Sequence, residues 1–224
     1  MIRKSVLVAA SALLPLAAVS AQPLAGVPLI PRDALFGNPV KAAGRISPDG
    51  KWLSWIAPRD GVMNIWVAPA SDPTQAKALT NERTRPIRSY FWAPDSQQLL
   101  FVNDKGGDEN FLLYGVNVAT GAERSLTPFE KTRVQVVGVS PTVPGRILVG
   151  VNNRDAKWHD VHSLDLASGK LSPVLLNTGG YAGFLADQNL DIRGALKSRP
   201  DGGSDYFQVT DNKVDAKPTE QITL

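Results

Sequence analysis

The sequence has no cysteine, only two histidines and two methionines, and little excess of charge of either sign. Without cysteine there is no disulfide framework, no thiolate metal site and no cysteine nucleophile. His159 and His162 alone do not make a His-rich metal centre, and no cofactor is expected. Twenty-four basic residues face 21 acidic ones. With Arg3 and Lys4 set aside in a leader, the balance is close to neutral, so the charge leaves no footprint for a nucleic-acid partner. Also lacking is an apolar run of the roughly 20 residues that span a bilayer, so no stable membrane anchor is expected. Helical periodicity is missing too, because apolar residues come in short blocks.

What the chain does have is an address at its start. Met1-Ile2-Arg3-Lys4 is basic, Val6 to Ala18 is apolar and uncharged, and Val19-Ser20-Ala21 supplies small residues before Gln22. This is the three-part pattern of a secretory signal, cleaved after Ala21. The mature protein is expected to be periplasmic or extracellular, with residues 22–40 as a lead-in.

Nineteen glycines and seventeen prolines punctuate the remainder, favouring a turn-rich, all-β chain. The punctuation repeats. Ser47-Pro48-Asp49-Gly50, Trp92-Ala93-Pro94-Asp95 and Gly138-Val139-Ser140-Pro141 each lead into a β-rich block, with the prolines 46 and 47 residues apart. A weaker fourth copy centres on Ala186, 45 residues after Pro141. In such a turn proline presets φ at the first central position and aspartate bonds its own backbone. Glycine then takes the positive φ that closes the turn. A period in the forties, with about four short strands per unit, is the pattern of propeller blades. The expected fold is therefore an all-β, partial propeller of four blades with four antiparallel strands each. The blades are expected at about 41–86, 87–132, 133–178 and 179–224.

The order of the motifs resembles a known group. Leu35-Phe36-Gly37-Asn38-Pro39, the turns at Pro48 and Pro94, and Asn64-Ile65-Trp66-Val67 come in its sequence. So do Gly107-Asp108-Glu109-Asn110, Leu126-Thr127-Pro128-Phe129, and Asn153-Arg154-Asp155 followed by His159-Asp160-Val161. Together they resemble the amino-terminal propeller of secreted bacterial serine peptidases of the prolyl oligopeptidase group, the dipeptidyl-aminopeptidase and acylaminoacyl-peptidase-like members. The resemblance implies a propeller that gates and selects short peptides for an α/β-hydrolase domain. That domain would be the partner of this one, and short peptides its substrates.

These 224 residues do not carry the chemistry of such enzymes. The nucleophile elbow is Gly-x-Ser-x-Gly, followed in the chain by Asp and His. Gly138-Val139-Ser140-Pro141-Thr142 and Gly202-Gly203-Ser204-Asp205-Tyr206 come nearest, and both lack the second glycine. No catalytic residue is expected, and the hydrolase domain is expected beyond Leu224. A free-standing periplasmic propeller that scaffolds protein partners is the alternative.

Candidate gating residues are few. Asp108, Glu109 and Asn110 form an acidic hairpin turn able to meet a substrate's amino terminus, and equally able to act only as a solvated turn. Arg154 and His159 sit on the next unit's hairpin. His159 and His162 are three apart, which on a strand puts them on opposite faces and argues against a shared metal; an imidazole bonded to Asp155 or Asp160 fits better. Trp52, Trp55, Trp66 and Trp92 read as packing between sheets rather than as a sugar-stacking platform. Finally, four blades of a larger ring leave two apolar faces bare. A face of about 500 Å² at ~25 cal/mol/Å² is worth roughly 12 kcal/mol, enough to demand a cover.

Overall fold

The protein is described from a computed structural model covering residues 28–223. The leader lies outside the described residues. Within residues 28–37, Arg32–Phe36 forms a single helical turn (α1) that follows Pro31 and closes with the Gly37 N–H on the Asp33 carbonyl, 2.9 Å. That turn falls in the stretch read from sequence only as a lead-in.

From Asn38 onward the chain is β-structure in four antiparallel sheets. The first sheet contains β1 (Ala42–Ile46), β2 (Trp52–Arg59), β3 (Val62–Pro69) and β4 (Lys77–Ala78) in spatial order. The second contains β5 (Tyr90–Trp92), β6 (Gln98–Asn103), β7 (Leu112–Asn117) and β8 (Glu123–Ser125). The third runs from β9 (Val134–Gly138) and β10 (Arg146–Asp155) to β11 (Trp158–Asp165) and β12 (Leu171–Leu175). In the fourth, β13 (Gly183–Ala186), β14 (Ile192–Ser198) and β15 (Ser204–Thr210) are followed by β16 (Lys213–Val214). A further short strand, β17 (Glu220–Ile222), also pairs with β15. The first three sheets are simple meanders, the fourth is a meander with β17 added beside β15, and the four together are the blades of a propeller.

The apolar blocks become strands buried on both faces. In β6, Leu99 and Phe101 pack with Ile56, Ile65 and Val67 of the first sheet, whereas Leu100 between them packs with Ile147 and Val149 of the third. In β10, Ile147 and Val149 face the second sheet and Leu148 faces Ile192, Ala195 and Phe207 of the fourth. Side chains alternate across a strand, so a continuous apolar run has no place except between two other layers. The rings of Phe101 and Tyr114 stack at 5.4 Å in the first of these interfaces.

The tryptophans divide. Trp92 is buried between the first two sheets with Trp52 packed beside it. Trp55 and Trp66 pair across β2 and β3 and pack with Leu53, Ala57 and Ala68 on the other face of the first sheet. The reading of all four as packing between sheets is therefore corrected for these two, because no described sheet covers that face.

Polar bonds fix the relative height of the sheets. Ser54 Oγ lies 3.0 Å from Tyr90 Oη and accepts from Trp92 Nε1 at 2.9 Å, while Tyr90 Oη donates to the Ala43 carbonyl at 2.7 Å. Gln98 Nε2 donates to the Leu166 carbonyl at 2.9 Å between the second and third sheets. The Pro turns are also joined to one another. Ser47 Oγ donates to Asp49 Oδ1 at 2.6 Å and Gly50 closes the turn at φ 73°. The Asp49 N–H then donates to Ser96 Oγ in the corresponding turn of the second sheet, 3.0 Å.

Ser54→Ala leaves the Trp92 indole N–H without its buried acceptor, and the variant should lose about 1–3 kcal/mol of stability. A urea unfolding midpoint lowered at unchanged slope is the expected result; an unchanged midpoint would show that the network is not what holds these two sheets.

Candidate functional site

In a meander of four antiparallel strands, the hairpin between the second and third strands lies at the same end as the connection to the next sheet. One mouth of the propeller is therefore built from the turns after β2, β6, β10 and β14 and from the connections 79–89, 126–133 and 176–182. The sequence-predicted candidates all lie at this mouth, on two different hairpins.

Asp108, Glu109 and Asn110 shape the turn after β6. Asp108 accepts from the Asn110 N–H and from Asn110 Nδ2, each at 3.1 Å. These bonds hold its carboxyl below the usual range. Glu109 adopts φ 59°, and its N–H donates to Asp104 Oδ2 at 3.2 Å. Asp104 is the buried anchor of the loop. Burial works to raise its pKa, but Arg85, which donates through Nε at 2.9 Å, and the Glu109 N–H outweigh burial and hold it down. Asp108 and Asn110 are thus occupied with each other, while the Glu109 carboxylate stands in solvent.

Arg154 and His159 have different surroundings. Arg154, the last residue but one of β10, makes a two-pronged bond to buried Asp160, Nε to Oδ2 at 2.6 Å and Nη2 to Oδ1 at 2.7 Å. Asp160 also accepts the Asn177 N–H at 2.7 Å, and Arg154 Nη2 reaches the Asn177 carbonyl at 3.2 Å. The arginine hydrogen bonds, with the Asn177 N–H, keep Asp160 ionised well below the ordinary carboxyl range despite burial. Arg154 is therefore committed to tying its hairpin to the next connection. His159 is half-buried over Gly150, with Nε2 enclosed and unpartnered among the described residues. Burial first, and then the Arg133 charge, lower its pKa and keep it neutral. The expected local bond from an imidazole to Asp160 comes from His162, and it meets the backbone rather than the carboxylate. His162 Nδ1 lies 3.2 Å from the Asp160 carbonyl oxygen. The reason is that the Asp160 carboxylate is already filled by Arg154 and the Asn177 N–H.

Two cavities complete the picture. One, of about 620 Å³, is bordered by Arg45, Ile46, Phe91, Trp92 and Val139. These residues belong to or directly follow the innermost strands of three sheets, so the cavity is the propeller's central channel. Of its lining, Ile46 and Val139 are exposed large apolar residues, giving the channel an apolar wall. The second cavity, of about 240 Å³, opens at the mouth between the second and third sheets, beside Arg85, Arg88, Asp104, Phe111 and Arg133. Sequence reasoning missed it. The available signal was positional: Arg88 and Arg133 stand 45 residues apart, each just before the first strand of its unit.

No family model matches the chain. It is 51% identical over 207 residues to dipeptidyl aminopeptidase BIII of Pseudoxanthomonas mexicana, a match that takes in 91% of this chain and 30% of that protein. Over that stretch the chain is a homologue of a dipeptidyl aminopeptidase. The resemblance drawn from the order of the turn motifs holds, and the chain spans less than a third of that relative's length. Among solved structures, prolyl oligopeptidase B from Galerina marginata superposes with TM-score 0.55 at 9% identity, over 81% of this chain and 26% of that one. The TolB-like protein of Agrobacterium tumefaciens superposes with TM-score 0.50 at 15% identity, over 76% of this chain and 62% of that one. At such identities the two structures share the fold alone.

His159 and Asp160 both have folded-state pKa values below their ordinary ones. Each therefore contributes stability above its unfolded pKa that is lost as pH falls: His159 from about 6.5 downward, Asp160 from about 4 downward. Unfolding midpoints measured across pH should fall in two stages. His159→Gln should remove the first stage, and Asp160→Asn should flatten the second while costing about 1.5–3 kcal/mol at neutral pH. A single acid transition unchanged by either substitution would contradict these assignments.

Proposed function

We propose that this chain is the propeller portion of an exported serine peptidase of the prolyl oligopeptidase group, and that it gates and selects short peptides without hydrolysing them itself. The observation that carries the reading is the 51% identity to a dipeptidyl aminopeptidase of which the chain spans only 30%. The lack of a Gly-x-Ser-x-Gly frame in the sequence supports a non-catalytic role. Export rests on the leader pattern of residues 1–21. Among the described residues, no helix is long and apolar enough to cross a membrane.

Gating has a physical basis in the channel. Its wall carries exposed Ile46 and Val139 with Arg45 beside them. At about 620 Å³ the space admits a few residues of extended peptide along such a wall and is far smaller than a folded domain. The outer face of the first sheet, built on Trp55 and Trp66 and covered by no other described sheet, is the place where a further blade of a closed ring would pack.

The intact mass of the protein exported by its source cell tests this. A mass several hundred residues above that of residues 22–224 is expected. A mass matching residues 22–224 would overturn the peptidase reading in favour of a free-standing scaffold. The isolated chain should also leave dipeptidyl aryl amides uncleaved, and turnover that Ser140→Ala or Ser204→Ala abolishes would equally oblige a different account.

A further inference from the structure

We propose that the cavity at the propeller mouth between the second and third sheets is a carboxylate-binding site for peptides, with Arg88 and Arg133 as its ligating residues. The inference rests on the peptide-gating reading for its choice of ligand, and on local geometry for the site.

The charge of the cavity is uncompensated. Three arginines border it, Arg85, Arg88 and Arg133, against one carboxylate, Asp104. That carboxylate is already consumed, because Asp104 is buried and bonded to Arg85 through both Nε and Nη2. Arg88 and Arg133 are exposed, and neither enters an ion pair among the described residues. The Arg133 guanidinium lies over the Phe111 ring at 5.4 Å. Stacking of that kind orients the planar group and leaves its N–H edges free to donate. A planar fork of donors matches a carboxylate with two parallel hydrogen bonds.

Backbone bonds give the two arginines a rigid base. The Arg133 N–H donates to Asn152 Oδ1 at 2.6 Å, and the Val134 N–H donates to the Phe111 carbonyl at 2.8 Å. Ile87, next to Arg88, is buried and bonds to the Met63 carbonyl at 3.0 Å. Val102, Phe111 and Val134 give the rest of the lining an apolar part that admits the side chain accompanying the carboxylate, and Ser89, Asn103 and Gln135 add neutral polar groups. At about 240 Å³ the space suits one residue rather than a longer segment.

The same position recurs. Lys41 stands directly before β1, as Arg133 does before β9, and Arg88 stands two residues before β5. Three successive blades thus place a cation where the innermost strand begins; the Lys41 ammonium is turned onto the Trp55 ring at 4.7 Å, so the second and third blades alone direct theirs at the cavity. The two free guanidinium groups beside the cavity attract the carboxylate end of a short peptide and leave its ammonium end outermost.

The test is a titration of the exported protein with three probes: Ala-Ala-Phe with a free carboxylate, Ala-Ala-Phe amide, and N-acetyl-Ala-Asp-Ala amide. Binding is read by calorimetry and by the arginine Nε–Hε resonances. The free acid should bind, with Arg Nε–Hε signals shifting, and the amide should bind roughly tenfold more weakly or worse, the value of charge-assisted hydrogen bonds to an ion. Arg88→Gln and Arg133→Gln, both at exposed positions, should each weaken the free acid by a similar factor without lowering the unfolding midpoint. Binding of the aspartyl amide at the strength of the free acid would place the carboxylate source in side chains as well as termini, and supports the site. Equal affinity for acid and amide, no binding of any probe, or an affinity unmoved in both variants overturns it. A short exported chain that still binds the free acid would refute the peptidase reading while leaving this site standing.

Discussion

The architecture depends on strands that are apolar on both faces. Leu99, Leu100 and Phe101 follow one another in β6 and are each 1% exposed or less. Two of them point toward one neighbouring sheet and the third toward the other. No two-layer arrangement satisfies such a strand, because one face would always meet water. Stacking sheet on sheet satisfies it, and the same condition then passes to the next sheet through Ile147, Leu148 and Val149. A propeller is the closed form of that propagation, which explains why the first sheet still carries Trp55, Leu53 and Trp66 on a face that no described sheet covers.

Hydrophobic burial alone does not set the height at which one sheet sits against the next, since it has no direction. The buried polar bonds do. Ser54, Tyr90 and Trp92 have one satisfactory arrangement across the first interface, and Gln98 to the Leu166 carbonyl has one across the second. At the opposite end from the charged mouth, the turns themselves are joined: Asp49 to Ser96 between the first two sheets, and Ser140 and Thr142 both to the Gln188 carbonyl between the last two. These bonds align the ends of the innermost strands. The alignment in turn brings residues 45 positions apart in sequence into one ring around the channel.

Much of the fold was legible because it is local. A Pro-Asp turn followed by a short apolar block is a statement about a few neighbouring residues, and its period in the forties counts the strands between turns. The candidate site was less legible because it is not local. Asp108 and Asn110 attract notice as an acidic turn, yet they bond each other; the residue that anchors their loop is Asp104, marked in sequence by nothing except its charge. Arg154 looked available and is occupied by Asp160. The two tryptophans of β2 and β3 looked like their counterpart in β5, but strand position does not say which face has a neighbour. Arg88, Phe111 and Arg133 come from three separate connections, and only the sheet stacking makes them adjacent.

The same stacking accounts for the division of labour between the two ends. Tight Pro turns consume their own polar groups, as Ser47, Asp49 and Gly50 do, and leave little to offer a ligand. The connections between sheets are longer and must carry the chain from an outer strand back to an inner one, so they bring charged residues to the axis. Arg85 meets a buried carboxylate there and becomes part of the scaffold. Arg88 and Arg133 meet none. A cation held on a rigid strand start without a partner gains little for the stability of the fold, and its orientation over Phe111 costs side-chain freedom. Such an arrangement stabilises something only when an anion arrives, which makes the mouth between the second and third sheets the part of this propeller shaped for a ligand rather than for folding.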